Sequence, residues 1–211
     1  MIIVFARAPV PGEAKTRLIP RLGAWRAARL HARLILQALR TAEQACDAVE
    51  LHGTRRHSFF RNLKVRFRLQ RGSDLGERMH HALSRAKGQA ILIGSDCPLL
   101  TPADLRRAAR WLRSGYDAVL APTEDGGYAL IGGRRLPRCV FEDIDWGGAR
   151  VYADTVEKLK GYRWRALRRL WDVDRPEDLE RLRSLRFASG ARQASPRSGG
   201  SRARWGGSGR T

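Results

Sequence analysis

At 211 residues and 43% hydrophobic composition, the chain can bury one sizeable core and is too short for several domains. With 41 basic against 21 acidic residues it carries a formal charge of +20, which favours anionic partners. No apolar run approaches the ~18–20 residues that span a bilayer, and the start is strand-like rather than a basic leader, so no membrane association and a cytoplasmic location are expected. Cys46, Cys97 and Cys139 are odd in number, far apart and without a CxxC, so they read as reduced thiols. The histidines His31, His52, His57, His80 and His81 show no metal-ligand spacing.

The apolar opening predicts a buried strand over residues 1–6. It runs into Phe5-Ala6-Arg7-Ala8-Pro9-Val10-Pro11-Gly12-Glu13-Ala14-Lys15-Thr16-Arg17-Leu18, a Pro/Gly-punctuated loop that ends in two cations one residue apart. At the carboxyl end of the first strand of a parallel α/β protein, such a loop gathers N–H groups and positive charge around something like a polyphosphate. It is neither GxxxxGK[ST] nor GxGxxG.

A helix is predicted over 24–45, with Arg26, Arg29, Arg33 and Arg40 on one face. Strands follow near 47–52 and 64–70. Arg71-Gly72-Ser73-Asp74-Leu75-Gly76-Glu77-Arg78 reads as a turn into a helix over 74–87. Asp74 or Ser73 caps it and Glu77 closes a capping box; a ligand role for Asp74 or Arg78 is the alternative.

The strand over 89–94 ends in Gly94-Ser95-Asp96-Cys97-Pro98. A carboxylate fixed at the sheet edge suits Mg2+ or Mn2+, which prefer oxygen donors; the alternative is a cap ahead of Thr101. Thr101-Pro102 starts a helix over 102–114, with Arg106, Arg110 and Arg113 on one face. Strands near 117–122 and 127–132 flank Thr123-Glu124-Asp125-Gly126-Gly127-Tyr128. This segment reads as a two-residue Gly-Gly hairpin, or as a site where Asp125 works and the glycines let a ligand approach.

A helix over 149–160 and a strand over 162–167 precede Leu170-Trp171-Asp172-Val173-Asp174-Arg175-Pro176. Alternation sends Asp172 and Asp174 to one side; one completes a metal site with Asp96 and the other caps the last helix, over 176–186. Helices between short apolar strands indicate an α/β fold with a mainly parallel sheet covered on both faces.

The folded domain is therefore expected over 1–187. Residues 188–211, rich in Gly, Ser and Arg, are expected to be a disordered tail. Their five arginines supply a quarter of the net charge, and weak, salt-sensitive attraction to nucleic acid is expected of them. The remaining charge reads as solvated helix faces.

Taken together, FARAPVPGEAKTRL, SDLGERM, IGSDCPLLT, APTEDGGYALIG, DIDWGGARVYADT and WDVDRPEDL resemble the bacterial radical-SAM/selenodomain-associated transferases, also named as glycosyltransferases of arsenosugar biosynthesis. These are similar to the nucleotide-diphospho-sugar transferase superfamily, with molybdenum-cofactor nucleotidyltransferases and 2-phospholactate guanylyltransferases as distant relatives. The resemblance covers residues 1 to about 186. It implies a Rossmann-like, three-layer glycosyltransferase-A fold. It also implies a nucleotide site at Ala6, Arg7, Pro11, Gly12, Lys15, Arg17, Asp74, Gly126 and Gly127, and catalytic roles for Lys15, Arg17, Asp96 and Asp125. The implied metal ligands are Asp96 with Asp172 or Asp174, and Asp125-Gly126-Gly127-Tyr128 falls on the acceptor side. Three positions depart from the family: Arg7 stands for lysine, Cys97 for a small polar residue, and Gly147-Gly148 for a hydroxyl-bearing pair.

The expected activity is a metal-dependent transferase with a nucleotide-activated donor and an unidentified acceptor. Glycosyl transfer from a nucleotide sugar leads, as the resemblance implies. Nucleotidyl transfer with pyrophosphate release is the alternative, to which the adjacent cations Lys15 and Arg17 are suited. A non-catalytic basic protein that binds nucleotides or nucleic acids is a third reading.

Overall fold

The computed structural model describes residues 1–193. Seven strands form one sheet: β1 (Ile2–Ala6), β2 (Val49–Gly53), β3 (Arg66–Leu69), β4 (Ala90–Gly94), β5 (Ala118–Pro122), β6 (Tyr128–Gly133) and β7 (Trp164–Ala166). Their order is β3-β2-β1-β4-β6-β5-β7, and only β6 runs antiparallel to its neighbours. All seven strands lie where the apolar runs predict them.

Alternation along β1 builds the layers. Ile2, Val4 and Ala6 pack on one face with Ile35 and Leu39 of helix α2 (Ala24–Glu43) and with Leu105 and Leu112 of helix α5 (Pro102–Arg113). Ile3 and Phe5 face the other side, with Met79 and Leu83 of helix α4 (Leu75–Ser84) and Leu159 beyond helix α6 (Val151–Lys158). A strand buried on both faces has to be apolar throughout, as Ile2-Ile3-Val4-Phe5-Ala6 is. A third cluster joins Leu18 and Leu34 to Trp171, Val173 and Leu182, and seats helix α7 (Asp178–Gln193). Helix α7 begins two residues later than predicted and carries six residues past the expected domain boundary at 187. The rest of the expected tail, 194–211, lies outside the described residues.

Pattern reading missed two one-turn helices, α1 (Ile19–Leu22) and α3 (Ser58–Arg61). Four residues are too few to show a helical period. By contrast, the start of α5 is as predicted. Thr101 Oγ1 accepts from the Asp104 amide at 3.2 Å, and Asp104 Oδ2 accepts from the Thr101 amide at 3.1 Å. Arg168 adds a 3.0 Å ion pair to the same carboxylate. Although burial alone would raise it, the hydrogen bonds from Thr101 and Arg168 hold the Asp104 carboxyl below the ordinary value. A depressed folded-state value contributes stability that is present above about pH 4 and lost on further acidification. Asp104→Asn should therefore cost about 1–2 kcal/mol at pH 7. The gap to the parent, measured by urea unfolding, should shrink below about pH 4; a gap that stays constant with pH would refute this.

At α4 the cap differs from the predicted box. Asp74 Oδ1 accepts from the Glu77 amide at 2.8 Å, as expected. Glu77 Oε2, however, accepts from the amide and hydroxyl of Ser73, one residue before the cap.

Candidate functional site

The strand order places the switch point at β1 and β4: chain connections leave β1 toward β2 on one side, and β4 lies on the other. Ligands of open α/β sheets bind beyond the strand ends at this point. The loop after β1 and the Gly94-Ser95-Asp96 turn after β4 both open there.

The first loop reaches the turn through Lys15. Its backbone is left-handed, at φ 53° and ψ 46°, a conformation costly for a side chain with a Cβ. That twist drives its stem inward until the side chain is only 5% exposed, with Nζ 2.8 Å from Asp96 Oδ2 and 3.9 Å from Asp174 Oδ1. Arg17 pairs with Asp174 Oδ2 from the solvent side. The segment after β7 is tied to the same turn by the Val173 amide, which donates to Asp96 O at 2.9 Å. Three remote motifs, at 15–17, 96 and 172–174, thus form one constellation.

Sequence reasoning missed one participant. His31, on α2 and almost fully buried, sets Nε2 3.2 Å from the Arg7 carbonyl and Nδ1 3.3 Å from Asp96 Oδ1. A lone histidine among the alanines and leucines of an amphipathic helix carries no local signal; only the crossing of α2 beneath the β1 loop brings it to the site. Burial alone would raise the Asp96 carboxyl. The Lys15 ammonium and the His31 ring outweigh it and hold Asp96 well below the usual carboxylate range, so it is ionised at any working pH.

Asp96 divides a continuous cleft. On one side lies a groove of about 690 Å³ lined by Ala6, Arg7, Lys15, Arg17, Asp74 and Arg78. Pro11 and Gly12 are not among its lining residues. On the other lies a smaller recess of about 260 Å³ with Asp125, Gly127, Cys97 and Asp172 at its polar end and Phe5, Met79 and Trp146 in its apolar wall. Asp172 thus opens into the recess and Asp174 into the groove, one on each flank of Asp96. Neither caps the last helix: Asp178 Oδ2 instead accepts from the amides of Asp174 and Arg175, at 3.0 and 2.7 Å.

The 123–127 segment is not the two-residue Gly-Gly hairpin expected. The Thr123 amide donates to Gly127 O at 2.9 Å across a longer turn, and the strand register shifts at Ala121/Pro122. Asp125 Oδ1 accepts from Thr123 Oγ1 at 2.6 Å and from the Gly127 amide at 3.1 Å, which fixes the carboxylate at the recess. Gly126 does not line the cleft. Its φ of +91° and lack of a Cβ let the backbone of Ala149 pack on it, so the close approach is made by the chain itself rather than by a ligand. That contact, with the Tyr152 amide donating to Gly126 O at 2.8 Å, holds the Trp146-Gly147-Gly148 loop over the recess. The Trp146 ring meets Tyr128 edge to face at 6.4 Å.

Burial, then the charge on Asp125, pushes the Asp172 carboxyl up to about 6. Burial also pushes the Cys97 thiol up to about 11, so it remains protonated and is no nucleophile. A carboxyl whose value is raised on folding holds its proton better in the folded state. Its ionisation lowers stability as pH rises from about 4 to about 6, and the penalty is complete above that. Asp172→Asn should therefore raise the melting temperature at pH 7–8 by the equivalent of about 1–2 kcal/mol after solvent screening, with no gain below about pH 4. Melting curves at the two pH values check this, and a gain independent of pH would refute it.

No group of three or more His, Cys, Asp or Glu side chains among the described residues is arranged to hold a metal by itself. The donor chemistry still fits a divalent cation bound together with a phosphate ligand. Magnesium commonly takes one or two carboxylates and completes its shell with substrate phosphates and water. The Asp172–Asp125 pair leaves negative charge that Lys15 does not fully offset.

The sheet order, the antiparallel β6 and the two-sided helix cover define a nucleotide-diphospho-sugar transferase fold. Residues 32–148 match the family described as "Uncharacterized protein conserved in bacteria (DUF2064)", and the chain belongs to that family. It is similar to a solved protein from Desulfovibrio desulfuricans G20 described as a "putative nucleotide-diphospho-sugar transferase": 32% identity, 92% of this chain and 90% of that chain covered, TM-score 0.83. A CMP:2-keto-3-deoxy-manno-octonic acid synthetase solved with CTP shares the fold at 12% identity, 90% and 98% coverage and a TM-score of 0.60. So does a nucleotidyl transferase from Methanothermobacter thermautotroptrophicus, at 16% identity, 90% and 99% coverage and a TM-score of 0.60. No curated protein matches the chain.

Proposed function

We propose that this chain is a transferase acting on a nucleotide-activated donor, most directly a nucleotide sugar. The observation that carries the reading is the convergence of Lys15 and Arg17 on Asp96 and Asp174 at the switch point of the sheet. The donor diphosphate lies along the groove. There it exchanges the carboxylate partners of Lys15 and Arg17 for its own oxygens. The acceptor enters the recess under Trp146, where its hydroxyl oxygen attacks the anomeric carbon while the hydroxyl proton passes to the Asp125 carboxylate. The bond from that carbon to the diphosphate oxygen breaks, and the nucleoside diphosphate departs with its growing charge met by the ammonium and guanidinium. His31 keeps Asp96 and the Arg7 carbonyl in place while Lys15 moves. A divalent ion held by Asp96 with Asp172 or Asp174 would neutralise further phosphate charge when bound. The nucleotide-sugar name of the relative with 32% identity supports this reading. The resemblance to arsenosugar-type glycosyltransferases supplies one acceptor class to include in assays.

Nucleotidyl transfer is the second reading, favoured by the same two cations. Attack on the α-phosphorus would release pyrophosphate, a more highly charged leaving group that Lys15 and Arg17 suit well.

Incubation with labelled nucleoside triphosphates and labelled nucleotide sugars, with and without Mn2+, separates the two. Release of nucleoside diphosphate supports the first reading, and release of pyrophosphate overturns it in favour of the second. A melting-temperature panel of UDP, GDP, CDP and ADP with Mn2+ identifies the base, because a ligand bound only by the folded state raises the melting point. No shift with any nucleotide would refute both readings.

A further inference from the structure

The arginines of the helix faces do not all end as isolated surface charges. Arg26, Arg29 and Arg33 of α2 and Arg183 of α7 rim one groove of about 350 Å³ between the two helices. Its lining residues are separate from those of the catalytic cleft. The floor is apolar and belongs to the core, with Leu179 and Leu182 both buried. None of the four guanidinium groups forms an ion pair among the described residues, whereas Arg138, Arg168 and Arg181 each find a carboxylate. Glu180, exposed one turn before Arg183, pairs with none of them.

Trp25 stands one helical turn from Arg29 and is 76% exposed, the most exposed large apolar side chain among the described residues. Cations from two elements beside an exposed indole match the chemistry of a strand with charged phosphates and unpaired bases. An acidic peptide would engage the arginines but offers no planar group to the indole. A lipid surface takes up several protruding apolar side chains, whereas here Trp25 protrudes alone beside the arginines and Leu179 and Leu182 are buried. The arginines also recur every three or four residues along α2, so they present a line of charge rather than a point.

We propose that the α2–α7 groove binds single-stranded nucleic acid, with Arg26, Arg29, Arg33 and Arg183 on phosphates and Trp25 as the stacking platform. This site is independent of the donor cleft and of the transfer reaction.

Fluorescence anisotropy with labelled oligothymidylate and oligouridylate, on the full chain, tests it. R26Q/R29Q/R33Q should weaken binding at least about tenfold near 0.15 M salt and lower the log–log salt slope by about two. Trp25→Ala should weaken binding about 5–20-fold and leave the slope unchanged, because stacking releases no counterions. R107Q/R110Q/R113Q, which removes the same charge from α5, should change affinity less than about threefold. Glutamine keeps most of the stem, and the high exposure of Trp25 makes its variant a second probe that leaves the core untouched. Equal losses in the two triple variants would reduce the effect to diffuse attraction and overturn the proposal. So would no loss in R26Q/R29Q/R33Q, or binding only to acidic peptides or anionic vesicles.

Discussion

Asp96→Asn is expected to lower turnover by about 10²–10³-fold or more while the protein still folds. The substitution keeps size and shape but removes the charge that orients Lys15 and that a donor-bound cation would need. Folding survives because Lys15 retains Asp174, and because the Val173-to-Asp96 link uses the backbone rather than the side chain. The charge left behind is the Lys15 ammonium, only 5% exposed, and Asp174 at 3.9 Å remains to compensate it. The rate of donor consumption, followed with a labelled nucleotide sugar, gives the effect on chemistry. A circular-dichroism melt of the same sample shows whether the sheet is intact. A folded variant with parent-like turnover would remove Asp96 from the mechanism.

Gly126→Ala should be the most destabilising small substitution around the site. A Cβ built on Gly126 would lie 1.9 Å from Ala149 O, and the backbone there has φ +91°, which an L side chain adopts only under strain. Both partners are main chain, so no rotamer change relieves the collision. The expected loss is about 2–4 kcal/mol, or roughly 5–15 °C in melting temperature for a chain of this size. Release of the Trp146 loop should weaken acceptor use more than donor binding, because that loop roofs the recess. Gly127→Ala is the control. Its nearest neighbour is Thr123 Oγ1 at 3.2 Å and its φ is not strained, so it should cost less than about 1 kcal/mol. Equal melting points for the two variants would mean that the contact between residues 126 and 149 does not hold the loop.

The inner strands β1, β4, β5 and β6 were legible in the chain because each is short, apolar and bounded by breakers, and burial on both faces demands that composition; the edge strands β3 and β7, with arginines on their exposed positions, show it more weakly. The start of α5 was legible because the cap and the N1 proline, Thr101 and Pro102, are adjacent in the chain; the reciprocal bond from Asp104 came only with the structure. The same reasoning went astray where a nearby residue could do the job in more than one way. Glu77 reaches Ser73 rather than Asp74, and Asp178 reaches back to Asp174 where Asp172 or Asp174 had been expected to cap. For Gly126 the sequence spoke only of a missing side chain; that Ala149, 23 residues onward, occupies the space is a fact of packing.

By itself, then, the sequence determined an α/β chain with a cationic loop after its first strand and acids at the ends of later ones. Those features follow from local rules: pleat alternation, helical period, turn chemistry and the need of isolated charges for water or partners. Only the tertiary structure decided that Lys15 meets Asp96 and Asp174, that His31 lies between the Arg7 carbonyl and the Asp96 carboxylate, and that Asp172 and Asp174 open to opposite flanks. It also gathered arginines separated by some 150 residues into one groove. The physical reason is the same in each case. Contacts between remote segments are set by strand order and by which helix crosses which strand end, and that order is chosen by burial of the whole core rather than by any stretch of chain alone.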